Sequence, residues 1–220
     1  SRPVVDATQC TSDLVYQAVV NLIKQTGIDP NQIGVMILVT QTPDYILPAT
    51  SCILHNRLNL CNDTIVFDIN LGCSGYIYGL YVASTLLKNS DKSFALLLAG
   101  DTISKYAGND DASTRFIFGD AGSATLLEKD ESTNTMFFSL GTDGSGWQNL
   151  IIPAGGSRQK GNYENNKITI DQDGNKRTAE NLYMDGMEIF NFTISTVVPH
   201  IQYIIDKCGF PDIVVFHQAN

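Results

Sequence analysis

Two apolar spacings alternate along this chain. Behind the cap-type run Thr11-Ser12-Asp13, the residues Leu14, Ala18, Val19, Leu22 and Ile23 recur at helical spacing, and Gly27 with Pro30 marks that helix's end. Residues 34–40 (GVMILVT) are continuously apolar and predict a strand covered on both faces. Residues 43–48 (TPDYILP) read as a loop, and 49–58 as a short helix whose His55 belongs to surface or packing. The run 64–69 reads as a buried strand. It turns through Asn70-Leu71-Gly72 into a helix over 74–87, with Cys73 at the join. Further strands are expected at 93–101, at 121–127 after the segment TRFIFGD, and at 136–140.

Residues 154–181 are polar and rich in Gly, Asn and Lys, and read as a mobile surface excursion with a hairpin signal at Gln172-Asp173-Gly174-Asn175. A long helix follows over 186–207, kinked by Pro199. Ile189, Phe190, Ile194, Val197, Val198, Ile201, Ile204 and Ile205 form its expected buried stripe. Strand 213–216 then delivers His217-Gln218-Ala219-Asn220. Strands alternating with helices indicate an α/β layered fold. Helix, Gly27-Ile28-Asp29-Pro30 and strand 34–40 are echoed by helix, Gly209-Phe210-Pro211-Asp212 and strand 213–216, which suggests two related halves.

Chemistry concentrates at Cys73. A thiol at the start of a helix meets the positive end of its dipole and backbone N–H groups without intrahelical partners, both of which favour the nucleophilic thiolate. Gly72 and Gly75 add little bulk, so a substrate carbonyl is expected to approach closely. The competing reading is an ordinary buried cysteine. The five cysteines form no CxxC pair, and with His55, His200 and His217 give no zinc-type spacing, so reduced thiols in a cytoplasmic protein are expected. A net charge of -9 argues against a nucleic-acid partner. No run has the length of a membrane span, and no secretory signal is visible. The chain does not begin with Met, which leaves room for an upstream start. With 220 residues, 43% apolar and 17% charged, it has the composition of a soluble globular protein.

One ordered set of motifs goes further. Thr42-Pro43-Asp44, Pro48, Phe67-Asp68-Ile69-x-x-Gly72-Cys73-Ser74-Gly75, Phe118-Gly119-Asp120-x-Gly122-Ser123-Ala124, Met184-x-Gly186-x-x-x-Phe190 and His217-Gln218-Ala219-Asn220 together resemble the β-ketoacyl-acyl-carrier-protein synthase III family, from about Thr11 to Asn220. The resemblance implies an α/β thiolase-like fold of layered αβαβα type, with a nearly complete N-terminal half (1–135) and the start of a C-terminal half (136–220). It implies an acyltransferase of fatty-acid or related acyl-chain synthesis. Cys73 would take an acyl group from acyl-CoA, and malonyl-acyl carrier protein would lose carbon dioxide and condense with it. His217 would be a donor to the thioester oxygen. Leu47, Gly186, Phe190 and Asn220 would border the substrate, with Leu47 reaching across a homodimer. No cofactor or metal, no nucleic acid and no membrane would be involved.

The sequence also departs from the family. Asp111-Ala112 stands where relatives often carry Asp-Arg, although Arg115 is close by, and Met187 replaces a frequent polar residue. Both point away from the usual CoA recognition, toward a carrier-protein-bound donor. The family's first strand, its catalytic asparagine and a glycine-rich oxyanion turn fall outside these residues, so the chain reads as an incomplete piece with impaired turnover. The alternatives are acyl transfer to an alcohol or amine, thioester hydrolysis by the same cysteine and histidine, and a non-catalytic partner subunit.

Overall fold

The computed structural model describes residues 2–130, 136–162 and 166–218. In chain order its elements are α1 (Thr11–Thr26), β1 (Ile33–Val39), α2 (Thr50–Arg57), β2 (Ile65–Ile69), α3 (Gly75–Lys88), β3 (Phe94–Asp101), α4 (Ala112–Arg115), β4 (Ala121–Glu128), β5 (Leu150–Ile151), β6 (Thr169–Ile170), β7 (Lys176–Arg177), β8 (Tyr183–Met184) and α5 (Gly186–Cys208). They divide into a sheet unit, Pro3–Ile103 with Asp120–Asn134, and a second unit, Ser1–Arg2 and Ser104–Gly119 with Thr135–Asn220.

In the sheet unit the strand order is β2-β1-β3-β4. The first three strands are parallel and β4 runs antiparallel to β3. Every residue of β1 is buried, as a continuous apolar run with cover on both faces requires. Met36 and Leu38 pack with Val15 and Val19 of α1 and Leu54 of α2. Val35, Ile37 and Val39 face the opposite way, onto Ala83 and Leu87 of α3. The strand period of two thus supplies both layers of the core.

Helix α3 approaches the sheet through a stripe of mostly small residues. Its buried positions are Gly75, Gly79, Ala83 and Leu87, spaced four apart along one face. A Cβ at Gly79 would lie 2.5 Å from Leu97 Cδ1 and 2.8 Å from Val39 Cγ2, so only a bare backbone fits there. Helix α1 is capped by Cys10, not by the Thr11–Asp13 run. Asp13 reaches back to the Cys10 N–H at 2.9 Å in a capping box, which places Asp13 one turn inside the helix. Gly27, at φ 69°, ends the helix in the left-handed conformation. The expected burial of β2 is not met. Ile65 is exposed and its neighbours are half-buried, because β2 is an edge strand with β1 on one side only.

The second unit holds the hairpin β6–β7, with the Asp171 carboxylate accepting from Asp173 N at 3.0 Å and Asn175 N at 2.9 Å, and Gly174 at φ 81°. The base of the polar excursion is tied down. Ala154 N donates to Ala179 O, and Leu182 N to Tyr106 O, each at 2.8 Å. Asp111 is fully buried and takes Arg177 Nε at 2.8 Å, while Arg177 Nη2 reaches Asp171 at 2.5 Å.

Three expectations fail in this unit, for one reason. Residues 136–140 and 213–216 belong to no sheet among the described residues, and α5 buries none of its residues. Phe190, Ile194, Val197 and Val198 are exposed, as is the whole of 206–218. Strands need a neighbouring ladder and an apolar helix stripe needs a facing surface, and the described residues supply neither.

Two outcomes test this packing. Gly79→Leu should overpack the α3–sheet contact and cost about 1–3 kcal/mol, read as a lower urea midpoint. Arg177→Met strands a buried carboxylate and should cost about 3–5 kcal/mol locally. Backbone hydrogen exchange at Lys176 and Leu182 should accelerate, and adding Asp111→Asn should recover part of the loss.

Candidate active site

The strand β2, the turn 70–73 and α3 present Cys73 at the C-terminal end of the parallel strands. Leu71 N donates to Ile69 O at 3.0 Å and Gly75 N to Gly72 O at 2.8 Å, so the chain reverses tightly around the cysteine. Ser74, the cap of α3, makes no side-chain cap bond. The thiol is free and on the exposed side of the turn. The two glycines have a different role from the one expected. A Cβ at Gly72 would run into the Gln41 side chain, and one at Gly75 into Val39 Cγ1. Their missing side chains admit neighbouring protein atoms, so close packing of the turn accounts for them.

Two aspartates hold the surroundings of Cys73. Asp68, in the centre of the Phe-Asp-Ile motif on β2, accepts from Thr50 N at 2.7 Å and Ser51 N at 2.8 Å, and so binds the free N–H groups that open α2. Asp101, the last residue of β3, gathers the turn after β1 on a single oxygen. Its Oδ1 accepts from Thr40 Oγ1 at 3.0 Å, Gln41 N at 2.8 Å, Thr42 N at 3.0 Å and Thr42 Oγ1 at 2.8 Å. Beneath it Thr11 Oγ1 donates to Thr42 O at 2.7 Å, and Thr102 N donates to Thr42 Oγ1 at 2.8 Å. The sequence signals were a lone Asp inside an apolar strand and another at a strand's end. Neither carries a partner in its own neighbourhood, so their roles could not be read from the chain.

The Cys73 thiol is shifted opposite to the helix-dipole expectation. Partial withdrawal from water among the atoms of the turn pushes its pKa up, and the Asp101 carboxylate adds to that. Its own backbone N–H, donating to the sulfur, works the other way without prevailing. The thiol is therefore the resting form at neutral pH.

Asp120 of the Phe-Gly-Asp motif is buried and structural. Its Oδ2 accepts from Val5 N at 2.8 Å, and its N–H donates to Pro3 O at 2.9 Å, pinning the segment before α1. Leu47 is 80% exposed in the loop after β1, which excludes core packing within the described residues. His55 Nε2 bonds Cys61 O at 2.9 Å and is a packing residue.

The remaining candidates belong to the second unit. Gly186 is the first residue of α5, capped by Asp185, which accepts from Glu188 N at 3.1 Å. Met187 beside it and Phe190 one turn on are exposed. A groove of about 500 Å³ beside this helix is lined by Trp147, Leu150, Ile189 and Phe192, with Asp143 and Glu188, and not by Gly186 or Phe190. Arg115 turns back onto the Asn109 carbonyl. His217 is exposed on the extended segment after α5, and Asn220 lies outside the described residues. Among the described residues no group of His, Cys, Asp and Glu could hold a metal ion, and no helix is long and apolar enough to cross a membrane.

Comparison with known proteins adds an independent finding. The sequence profile of the family described as 3-oxoacyl-[acyl-carrier-protein (ACP)] synthase III matches residues 67–144, which include Cys73 and the Phe-Gly-Asp motif. A Campylobacter jejuni protein provisionally named 3-oxoacyl-[acyl-carrier-protein] synthase 3 is 40% identical, over 100% of this chain and 63% of its own length. A crystal structure of a 3-oxoacyl-(acyl-carrier-protein) synthase III superposes with a TM-score of 0.91 at 37% identity, over 96% of this chain and 63% of that one. The corresponding synthase from Burkholderia xenovorans gives a TM-score of 0.80 at 36% identity, over 96% and 58%. The chain thus spans about 63% of the length of that curated relative.

The resting thiol predicts a measurable profile. Site-resolved alkylation of Cys73 by iodoacetamide should reach its half-maximal rate above the ordinary thiol value of about 8.5. A midpoint below that value would restore the helix-dipole expectation.

Proposed function

Because the chain belongs to the β-ketoacyl-[acyl-carrier-protein] synthase III family and carries its thiolase-like fold, we propose that it performs a decarboxylating Claisen condensation through an acyl group held on Cys73. The supporting observation is the free thiol at the tight turn between β2 and α3, inside the span matched by the family profile. In the first step the Cys73 sulfur bonds the carbonyl carbon of an acyl thioester, the bond to the CoA sulfur breaks, and the proton of the resting thiol ends on the leaving CoA thiol. In the second, malonyl-acyl carrier protein loses carbon dioxide. The electron pair of the broken C–C bond attacks the acyl carbonyl, and the Cys73 sulfur leaves as thiolate and takes up a proton from solvent to restore the resting thiol. The product is a 3-oxoacyl-acyl carrier protein, one that starts fatty-acid or related acyl chains.

Negative charge on the thioester oxygen during decarboxylation calls for neutral donors, and His217 is assigned as one of them. Gly186, Phe190 and Asn220 are assigned to the substrate channel. A homodimer accords with the uncovered apolar residues Ile65 on the sheet edge and Tyr76, Ile77 and Tyr81 on α3, and with Leu47 standing out from its loop. A cytoplasmic setting accords with the free cysteines.

A second donor class has its own support. Ala112 stands at the position of the family's arginine, and Arg115 is engaged with the Asn109 carbonyl. Both favour an acyl group carried on acyl carrier protein.

Intact-protein mass spectrometry after incubation with short acyl-CoAs, or with the same acyl groups on acyl carrier protein, tests the first step. The expected result is one acyl adduct, absent in Cys73→Ala and forming faster as pH rises toward the Cys73 pKa. No adduct from either donor would overturn the condensing-enzyme reading in favour of a non-catalytic subunit. An adduct that releases free acid without malonyl-acyl carrier protein would favour a hydrolase.

A further inference from the structure

Three groups converge behind Cys73. Asp101 Oδ1 accepts the backbone N–H groups of Gln41 and Thr42 and the hydroxyls of Thr40 and Thr42. The Gln41 side chain lies against Gly72, in the space its missing Cβ leaves. Gly72 O in turn accepts from Gly75 N, which closes the turn at the start of α3. Resting on the assignment of Cys73 as nucleophile, we infer that Asp101 is a positioning residue for it: the carboxylate fixes the 40–42 turn, and the Gln41 side chain carried there backs the turn that presents the sulfur.

Four donors on one oxygen require the full carboxylate charge, since a neutral amide oxygen holds fewer and weaker bonds. The same charge bears on the sulfur, favouring the protonated thiol. Other titratable groups border this turn. Asp68 is engaged by the α2 N–H groups, Asp44 accepts from Ser12 N at 3.1 Å, and the Tyr76 hydroxyl bonds Thr125 Oγ1 at 3.1 Å. Tyr78 follows on α3. Among the described residues, Asp101 is the carboxylate whose charge raises the Cys73 pKa. Asp101 therefore couples to Cys73 twice, through the turn and through its field.

Two variants separate these effects. Asp101→Asn should lower the pH midpoint of Cys73 alkylation by about half to one unit. At a matched thiolate fraction it should slow acyl transfer onto Cys73 about tenfold, because the turn loosens. Gln41→Ala keeps the charge and all four bonds to Asp101, and its side chain is exposed. It should leave the alkylation midpoint in place and still slow acylation severalfold. A folded Asp101→Asn protein whose midpoint and acylation rate both match the parent overturns the proposal. So does a Gln41→Ala protein acylated at the parent rate. A parent that accepts no acyl group from any donor removes the nucleophile assignment alone, and the alkylation midpoints then still decide whether Asp101 governs the sulfur.

Discussion

The close approach of α3 to β1 and β3 governs where Cys73 stands. Gly75, Gly79 and Ala83 leave room for Val39 and Leu97 to meet the helix backbone, and Leu87 closes the far end of the stripe. A helix held this near the sheet has little freedom to tilt or slide. Its first turn, and the cysteine just before it, are therefore fixed relative to the ends of the parallel strands. The alternating faces of β1 complete the arrangement, with α1 and α2 packed on the other side of the sheet.

Carboxylates do the corresponding work at the places where the chain leaves regular structure. Asp68 holds the start of α2, Asp101 holds the turn after β1, and Asp120 holds the segment before α1. Asp111 does the same in the second unit by pairing with Arg177. In each case an acceptor-only group takes up backbone or side-chain donors that a loop would otherwise leave unsatisfied. These four of the chain's 23 acidic residues thus have a structural use.

The same economy bears on reactivity. Cys73, beside packed glycine turns and a nearby carboxylate, has its pKa pushed up, which favours the protonated thiol at neutral pH. The exposed apolar positions of α5 and of residues 210–216 contrast with the closed sheet unit, where the core residues have their full complement of neighbours.

Most of the sheet unit was legible in the sequence. Its strands are continuous apolar runs and its helices have clear periodicity and stops, which are local properties set by burial and backbone geometry. The ordered motifs likewise carried the family, since the strand-to-helix turn that holds Cys73 leaves a compact local signature. Tertiary structure alone decided the rest. It made β2 an edge, assigned Gly72 and Gly75 to packing, and brought Asp101 to Cys73 from a strand distant in sequence. It also left 136–140, 213–216 and the α5 stripe without the partners their patterns require. A sequence records what each segment can bury or bond. Whether a ladder, a facing surface or a charge stands opposite depends on contacts between segments far apart in the chain, and those exist only in the folded molecule.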